Sequence, residues 1–523
     1  VVFLIYFVGA LVAAGTIYPQ LASQVFPDVD TGQFQIKLKA PTGTRFEETY
    51  KYALKLLSLI KQEAGGAQNV EISIGYVGTQ PPAYALSNIY IFTSGPHEGV
   101  LTVALKPGVI PLPVFKDRLR KTVAERMPDV QISFEPGDIV SKIMNFGAPT
   151  PIEVAVTGLD LDKDRVYAEK VLAEMKKIPR LRDVQIEQPL DYPTLAIDVN
   201  RELAGQLGVS VKEIGDSLVA ASSSSRWISQ NYWTDPHTGV SYQVQVEMPQ
   251  WHIGSIKDVE AVPAMPTGMK GPFVRDLAAL SYGSMVGEID HVNQQRLISI
   301  SANIEGSDMG RAAREVDAAI KRVGAPPLGV FVAQRGQVPT MKETFFGLQI
   351  GVGLAIVVIL LMLTANFQSL PLAMVIVSIA PAIISGEVIG LMLTNTTLNV
   401  QSFMGGIMAI GVGVSNSILL ITFAENNRLE GRSSLRAAIV AGRERLRPVL
   451  MTSIAMIAGM VPMALSAEAE SSLARAVIGG LLMSTPCVLL IMPLIFSIAR
   501  KKTSRQSASI HPEDPEIVAA EVH

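Results

Sequence analysis

The sequence predicts an α+β membrane protein with six transmembrane helices, one N-terminal and five C-terminal, and a large polar domain between them. Three observations carry this. Apolar runs occur at 1–18, 345–365, 371–393, 402–424, 448–466 and 473–499, each near or above the roughly 18–20 residues that span hydrocarbon. The intervening segment has ordinary globular composition and alternates period-2 with helical patterning. Arginines are segregated: Arg428, Arg432, Arg436, Arg443, Arg445 and Arg447 fill the loop 425–447, and Arg500, Lys501 and Lys502 open the tail, whereas Thr394–Val400 and Ala467–Ser472 carry no Lys or Arg. Positive-inside placement then puts 425–447 and the C-terminus in the cytoplasm and the large segment outside, in agreement with the helix count.

Composition bounds the function. The chain has 523 residues, 48% hydrophobic, and its net charge of −3 gives no ground for a nucleic-acid partner. Its single cysteine, Cys487, excludes an intrachain disulfide. None of the six histidines has metal-ligand spacing to a second His or Cys, so no metal site is expected. No phosphate loop and no G-x-S-x-G elbow is present, which argues against ATP hydrolysis and against an enzyme.

The elements follow in order. The run at 1–19 begins at Val1 without the basic leader of a signal peptide, so a true helix is expected and the chain is read as part of something longer. Phe34, Ile36, Leu38 and Ala40 alternate with Gln33, Gln35, Lys37 and Lys39, a half-buried strand. Thr44 with Glu47 fits a capping box for a helix running to about Gln62. Strands at Val70–Ile74 and Leu101–Leu105, a helix at 114–126 and a strand at Val130–Phe134 complete β-α-β, β-α-β. The order returns with strands at 152–156, 184–186, 294–304 and 329–334 and helices at 162–177 and 308–322: a split β-α-β arrangement twice over. The second copy is interrupted by 200–282, which holds a hairpin signal, Asp235-Pro-His-Thr-Gly239, before alternating Tyr242, Val244, Val246 and Met248.

The bundle is organised around Met404–Asn426. Gly405, Ala409, Gly413 and Ser417 recur at i+4 and form a small-residue stripe that lets helix backbones approach closely. Ser415 and Asn416 put polar groups at the middle of the same helix. Glu387 lies in the run 371–393, nearer its outer end, and is expected to snorkel to the interface. Arg445 and Thr452, seven residues apart, share one helix face.

Several motifs together resemble the resistance-nodulation-division (RND) efflux permeases, hydrophobe/amphiphile branch. They are Phe26-Pro-Asp-Val-Asp-Thr-Gly-Gln-Phe34, Ala40-Pro-Thr-Gly-Thr-Arg45, Asp235-Pro-His-Thr-Gly-Val-Ser-Tyr242, Gln401-Ser-Phe-Met-Gly-Gly406, Ser415-Asn416 and Arg445-Leu-Arg-Pro-Val-Leu-Met-Thr-Ser453. The resemblance covers 1–500 and is to the C-terminal half of such a permease. It implies a homotrimer in a bacterial inner membrane, a missing N-terminal half, a periplasmic adaptor protein and an outer-membrane channel. Export of small hydrophobic or amphiphilic compounds would be driven by proton antiport, with no cofactor beyond the proton gradient. It also implies domains: a helix at 1–19, porter subdomains at 20–199 and 283–340, an inserted docking subdomain at 200–282, a five-helix bundle at 341–500 and a disordered tail at 501–523.

The resemblance likewise implies site residues. A proton path would run through Ser415, Asn416, Arg445 and Thr452, with Ser415 standing where the family usually presents a lysine. A gating loop beside the substrate pocket falls at Ser94, Gly95, Pro96, His97, Glu98 and Gly99. It carries no aromatic, and His97-Glu98 is expected to be an ordinary solvated turn. Arg296 with Gln294 and Gln295 is read as the solvated start of a strand. Two other readings remain: a membrane subunit of an ABC-type export machine, and a non-transporting scaffold half or truncated gene product.

Overall fold

The computed structural model describes residues 2–26, 32–79, 92–106, 108–137, 139–249, 252–265, 271–466 and 470–500. The expectations for Pro27–Thr31, within the motif Phe26–Phe34, and for the tail 501–523 lie outside the described residues.

The chain opens with α1 (Val2–Ile17) and then builds a first module from β1 (Gln33–Lys39), α2 (Phe46–Glu63), β2 (Val70–Val77), β3 (Glu98–Leu105), α3 (Leu112–Arg126) and β4 (Gln131–Pro136). The strands pair antiparallel in the order β2-β3-β1-β4. Phe34, Ile36 and Leu38 pack with Leu56, Ile60, Phe115 and Phe134 into its core. Two local expectations fail. β1 is not half-buried, because Gln35 and Lys37 on its polar face are covered as well. Thr44 does not cap α2: its backbone N–H and its hydroxyl both donate to the Pro41 carbonyl, at 3.0 and 2.6 Å, and Arg45 takes the cap position without a side-chain bond. The preceding turn consumes the residue that the capping pattern needed.

The second module comprises β5 (Ile152–Gly158), α4 (Leu161–Met175), β6 (Leu181–Ile186), then, after the insertion, β11 (Asp290–Val292), β12 (Gln295–Ile304), α6 (Met309–Val323) and β13 (Val330–Gly336). Its sheet runs β11-β12-β5-β13, with β6 also pairing β12. The core is separate from that of the first module and centres on Val154, Val171, Ile300 and Val316.

Between the halves of the second module, β7 (Tyr192–Val199) pairs along its whole length with β10 (Ala278–Met285) as a two-stranded ribbon. The ribbon carries α5 (Val211–Ser222) and a small core of its own around Val209, Ile214, Val274 and Leu277. The hairpin forms as β8 (Asn231–Thr234) and β9 (Ser241–Val244). Its turn is built by Asp235, which accepts from the His237 N–H at 2.9 Å and the Thr238 hydroxyl at 2.7 Å, and by Gly239 at φ +71°. β9 ends at Val244, short of the alternation through Met248.

The apolar bundle follows as α7 (Gln337–Phe367), α8 (Leu370–Val377), α9 (Ala380–Leu393), α10 (Val400–Leu429), α11 (Ser434–Leu465), α12 (Ser471–Pro486) and α13 (Met492–Ala499). Among the described residues, five helical spans are long and apolar enough to cross a membrane, with α8–α9 and α12–α13 each counted as one. α1, at 16 residues, is shorter than these and lies against α9. Proline explains the two breaks: Pro381 stands in the first turn of α9, and Pro486 and Pro493 flank a π-turn at Cys487–Ile491. The expected loop 425–447 is a correction. α10 runs to Leu429 and α11 starts at Ser434, so Arg432 alone of the six arginines lies in the short connection and the other five sit on the helices.

Candidate functional sites: the bundle interior and the charged seam

In the bundle the small-residue stripe faces α12. A Cβ on Gly405 would lie 2.6 Å from the Leu473 carbonyl oxygen, and one on Gly480 2.8 Å from the Ala409 Cβ. Gly413 lies under Ile383, and Ser417 is fully buried with its hydroxyl donating to the Gly413 carbonyl at 2.7 Å. The partner positions were missed in the sequence. Gly386 and Gly390 on α9 meet Gly479 on α12 backbone to backbone, a Cβ at Gly386 falling 2.6 Å from the Gly479 oxygen. The spacing Gly386-x-x-x-Gly390 was the available signal.

The four residues of the expected proton path do not converge. Asn416 is buried, and the Thr452 hydroxyl lies 3.3 Å from its Oδ1. The same hydroxyl is 3.0 Å from the Val449 carbonyl, so one proton serves two acceptors. Ser415, one residue and about 100° away around the helix, is exposed on the outer face of α10. Arg445 lies over the Phe423 ring, 4.5 Å to its centroid, and its Nε is buried without a hydrogen-bond partner. Since 416 and 423, and 452 and 445, are each seven apart on antiparallel helices, the two contacts lie about 10 Å apart along one groove. Ser453 and Thr485, bonded at 2.8 Å, extend the buried polar line to α12.

Glu387 corrects a second expectation. It does not snorkel: it is 7% exposed, and its carboxylate is turned against Gly406 of α10, where a Cβ would collide with it. The glycine opens the space that the carboxyl group fills.

The loop Ser94–Gly99 is likewise not a solvated turn. His97 and Glu98 are fully buried, and Glu98 and Gly99 are the first residues of β3. Glu98 accepts from the Ser94 N–H at 2.8 Å. The His97 ring packs on Tyr192, centroids 5.8 Å apart, and its Nε2 is 3.8 Å from Glu98 Oε1. Four buried atoms here have no hydrogen-bond partner: Ser94 Oγ, both His97 nitrogens and Glu98 Oε1. Burial pulls the His97 imidazole below its usual value, with Lys39 and Lys37 adding to the effect against Glu98.

This loop is one end of a charged seam joining the two modules. Lys37 Nζ contacts Glu187 at 3.2 Å and Glu98 at 3.6 Å. Lys39 donates to the carbonyls of Ile186 and Glu187 at 3.2 and 2.8 Å. At the other end Arg120 of α3 grips Asp183 of β6 through two bonds of 2.9 and 2.8 Å, and Asn303 donates to the Phe134 carbonyl at 2.7 Å. Burial works against the Lys37 ammonium, but Glu187 and Glu98 more than offset it and hold it protonated; reciprocally Lys37 and the Ser301 hydroxyl outweigh burial and keep the Glu187 carboxyl below its usual range. Glu135 and Glu288 go the other way: burial raises Glu135 to about 7, and burial together with Asp290 raises Glu288 to about 8. Among the described residues, no group of three or more His, Cys, Asp or Glu is arranged to hold a metal ion.

The family model described as "AcrB/AcrD/AcrF family" matches residues 1–500. The chain is 26% identical over 519 residues to the "Cation efflux system protein CzcA" of Alcaligenes sp., covering 94% of this chain and 46% of that protein. It is 24% identical over 548 residues to the "Multidrug/solvent efflux pump membrane transporter MepB" of Pseudomonas putida, covering 98% and 48%. In fold it is similar to a heavy metal efflux pump solved by X-ray crystallography, with TM-score 0.82 and 22% identity over 96% of this chain and 51% of that one. The chain thus spans about half the length of the curated relatives it matches. The chain belongs to the AcrB/AcrD/AcrF family of RND permeases. That membership removes the ABC-type reading.

Proposed function

We propose that the chain is one half of a proton-driven RND efflux permease. The observation that carries this reading is the match of nearly the whole chain to half of a heavy metal efflux pump. In this reading α1 completes a six-helix bundle in the inner membrane, the modules and their insertion stand in the periplasm, and the C-terminus is cytoplasmic. The domain limits are those set out from the sequence, with 200–282 as the docking insertion. The working assembly is a trimer that includes the adjoining half, an adaptor and an outer-membrane channel.

The substrate we assign is a metal cation rather than a hydrophobic drug. Relatives named for cobalt, zinc, cadmium and nickel resistance support it. So does the loop Ser94–Gly99, which holds buried unpartnered polar atoms and carries no Phe, Tyr or Trp. A second reading, export of hydrophobic or amphiphilic compounds, is favoured by the similarity to the multidrug and solvent pump. For the proton path, the Thr452–Asn416 contact supports a relay within this chain, with Arg445 at its cytoplasmic mouth. Ser415 faces out of the bundle, where the adjoining half would pack, so charge brought by that half meets a hydroxyl instead of an ammonium.

The test is reconstitution of the permease from both halves in proteoliposomes under an imposed proton gradient. Zinc or cobalt flux that collapses in Thr452→Ala and Arg445→Ala is expected. Flux of dyes but not of metal would turn the substrate to the second reading. Absence of any proton-coupled flux would leave the scaffold interpretation.

A further inference from the structure

Glu387 sits in the middle of α9, and the Asn416–Thr452 contact does not use it. The span α8–α9 is the most enclosed of the five long ones, and Glu387 lies about 9 Å along the helix from its module-facing end at Leu393. The carboxyl group fills the space that a side chain at Gly406 would take. Among the described residues no hydrogen bond or ion pair reaches it.

The helices packed on α9 bring it no counter-charge. α1 carries no charged residue. α10 carries Glu425 and Arg428, both toward its far end, with Glu425 about 28 Å along the helix from Gly406. α12 carries Arg475, whose guanidinium is committed at 2.9 Å to the Ala464 carbonyl and at 2.9 Å to the Thr396 hydroxyl. The nearby hydroxyls of Ser385 and Ser402 donate to the carbonyls of Ala382 and Asn399. An ionised carboxylate so placed would lack a cation, a donor and a hydration shell, so this packing accommodates the neutral acid.

A way in and out lies at the module-facing end. A cleft of about 300 Å³ runs between α1 and α9, walled by Gln20, Ser307, Asn395, Thr396 and Thr397, and by Leu391, one turn along α9 from Glu387. Next to Ile17 in its wall stands Tyr18, which interacts electrostatically with Glu387. The Tyr18 oxygen accepts from Gln349 Nε2 at 2.7 Å, which leaves its own O–H proton available to donate.

We propose that Glu387 is a proton-exchange site of the bundle, separate from the Asn416–Thr452 line, that trades its proton with water in the α1–α9 cleft by way of Tyr18. On loading, the carboxylate takes the Tyr18 hydroxyl proton and cleft water returns one to the Tyr18 oxygen. Release reverses both transfers, so no charge stays on the tyrosine. Losing the proton leaves a bare charge where α9 meets α10 and α12, beside the backbone contacts of Gly386 and Gly390 with Gly479, so release goes with a loosening of that packing. The binding of the proton stands on geometry alone, and its use in transport rests on the proton-driven reading above.

The test compares the full chain in detergent with Glu387→Gln by infrared spectroscopy in light and heavy water. A carboxylic-acid carbonyl band at neutral pH is expected, shifted by heavy water and missing in the variant. Tyr18→Phe should keep the band and slow its shift. If Glu387→Gln does not fold, as judged by circular dichroism, Gly406→Ala, which intrudes on the carboxyl, should displace the same band. Identical acid absorption in wild type and folded Glu387→Gln overturns the site, and so does a band that heavy water does not shift. In the permease reconstituted from both halves, Glu387→Gln should lose proton-driven flux, and unchanged flux removes the site from the cycle. A wild type without proton-driven flux overturns the export reading instead, and the infrared band then decides Glu387 by itself.

Discussion

The α10–α12 contact and the seam between the β-α-β modules hold the molecule together by opposite means. In the bundle, side chains are removed: Gly405, Gly413, Gly479 and Gly480 bring backbones and Cβ atoms into contact, because in hydrocarbon close packing is the attraction available between apolar helices. At the seam, side chains are added: Lys37 and Arg120 meet the carboxylates of Glu187 and Asp183, and Lys39 donates to the backbone carbonyls of Ile186 and Glu187. The first interface is insensitive to pH and intolerant of volume. The second depends on matched charge.

Four substitutions sharpen the contrast. Lys37→Met should cost most, about 3–5 kcal/mol, because it strands buried Glu187 without its cation. Thermal unfolding of the chain would show the loss, and adding Glu187→Gln should restore a large part of it. Gly405→Leu should cost up to about 3 kcal/mol by overpacking against the Leu473 carbonyl, with a pH dependence of stability that remains as in wild type. Thr452→Ala should cost about 1 kcal/mol through loss of the Asn416 contact, measured by denaturant unfolding in detergent. Trp233→Ala, on the exposed hairpin, should change the stability of the isolated chain by less than about 0.5 kcal/mol. An equal pH response in Gly405→Leu and Lys37→Met would erase the distinction between the two interfaces.

Periodic features were readable in the sequence. The alternation at Phe34–Ala40 placed β1, and the apolar runs placed the five long spans, because local pattern and local structure share one period. Boundaries set by competing local bonds were not readable, as at Thr44, where a turn takes the group that a cap would use. The small-residue stripe was visible on α10; the close approach of Gly386 and Gly390 to Gly479 between α9 and α12, and of Gly480 to Ala409, appears only when the helices are packed. Among the candidate site residues, Asn416 and Thr452 meet, Arg445 finds an aromatic face nearby, and Ser415 turns away.

By itself the sequence determined the order of helices and strands, the segregation of arginines and the family, since each is written in spacing along the chain. Only the tertiary structure decided that Glu387 turns inward, that His97 and Glu98 are buried, and that Lys37 meets Glu187 from 150 residues away. Those outcomes depend on which surfaces face each other across space, and burial of a charge is a property of both surfaces at once.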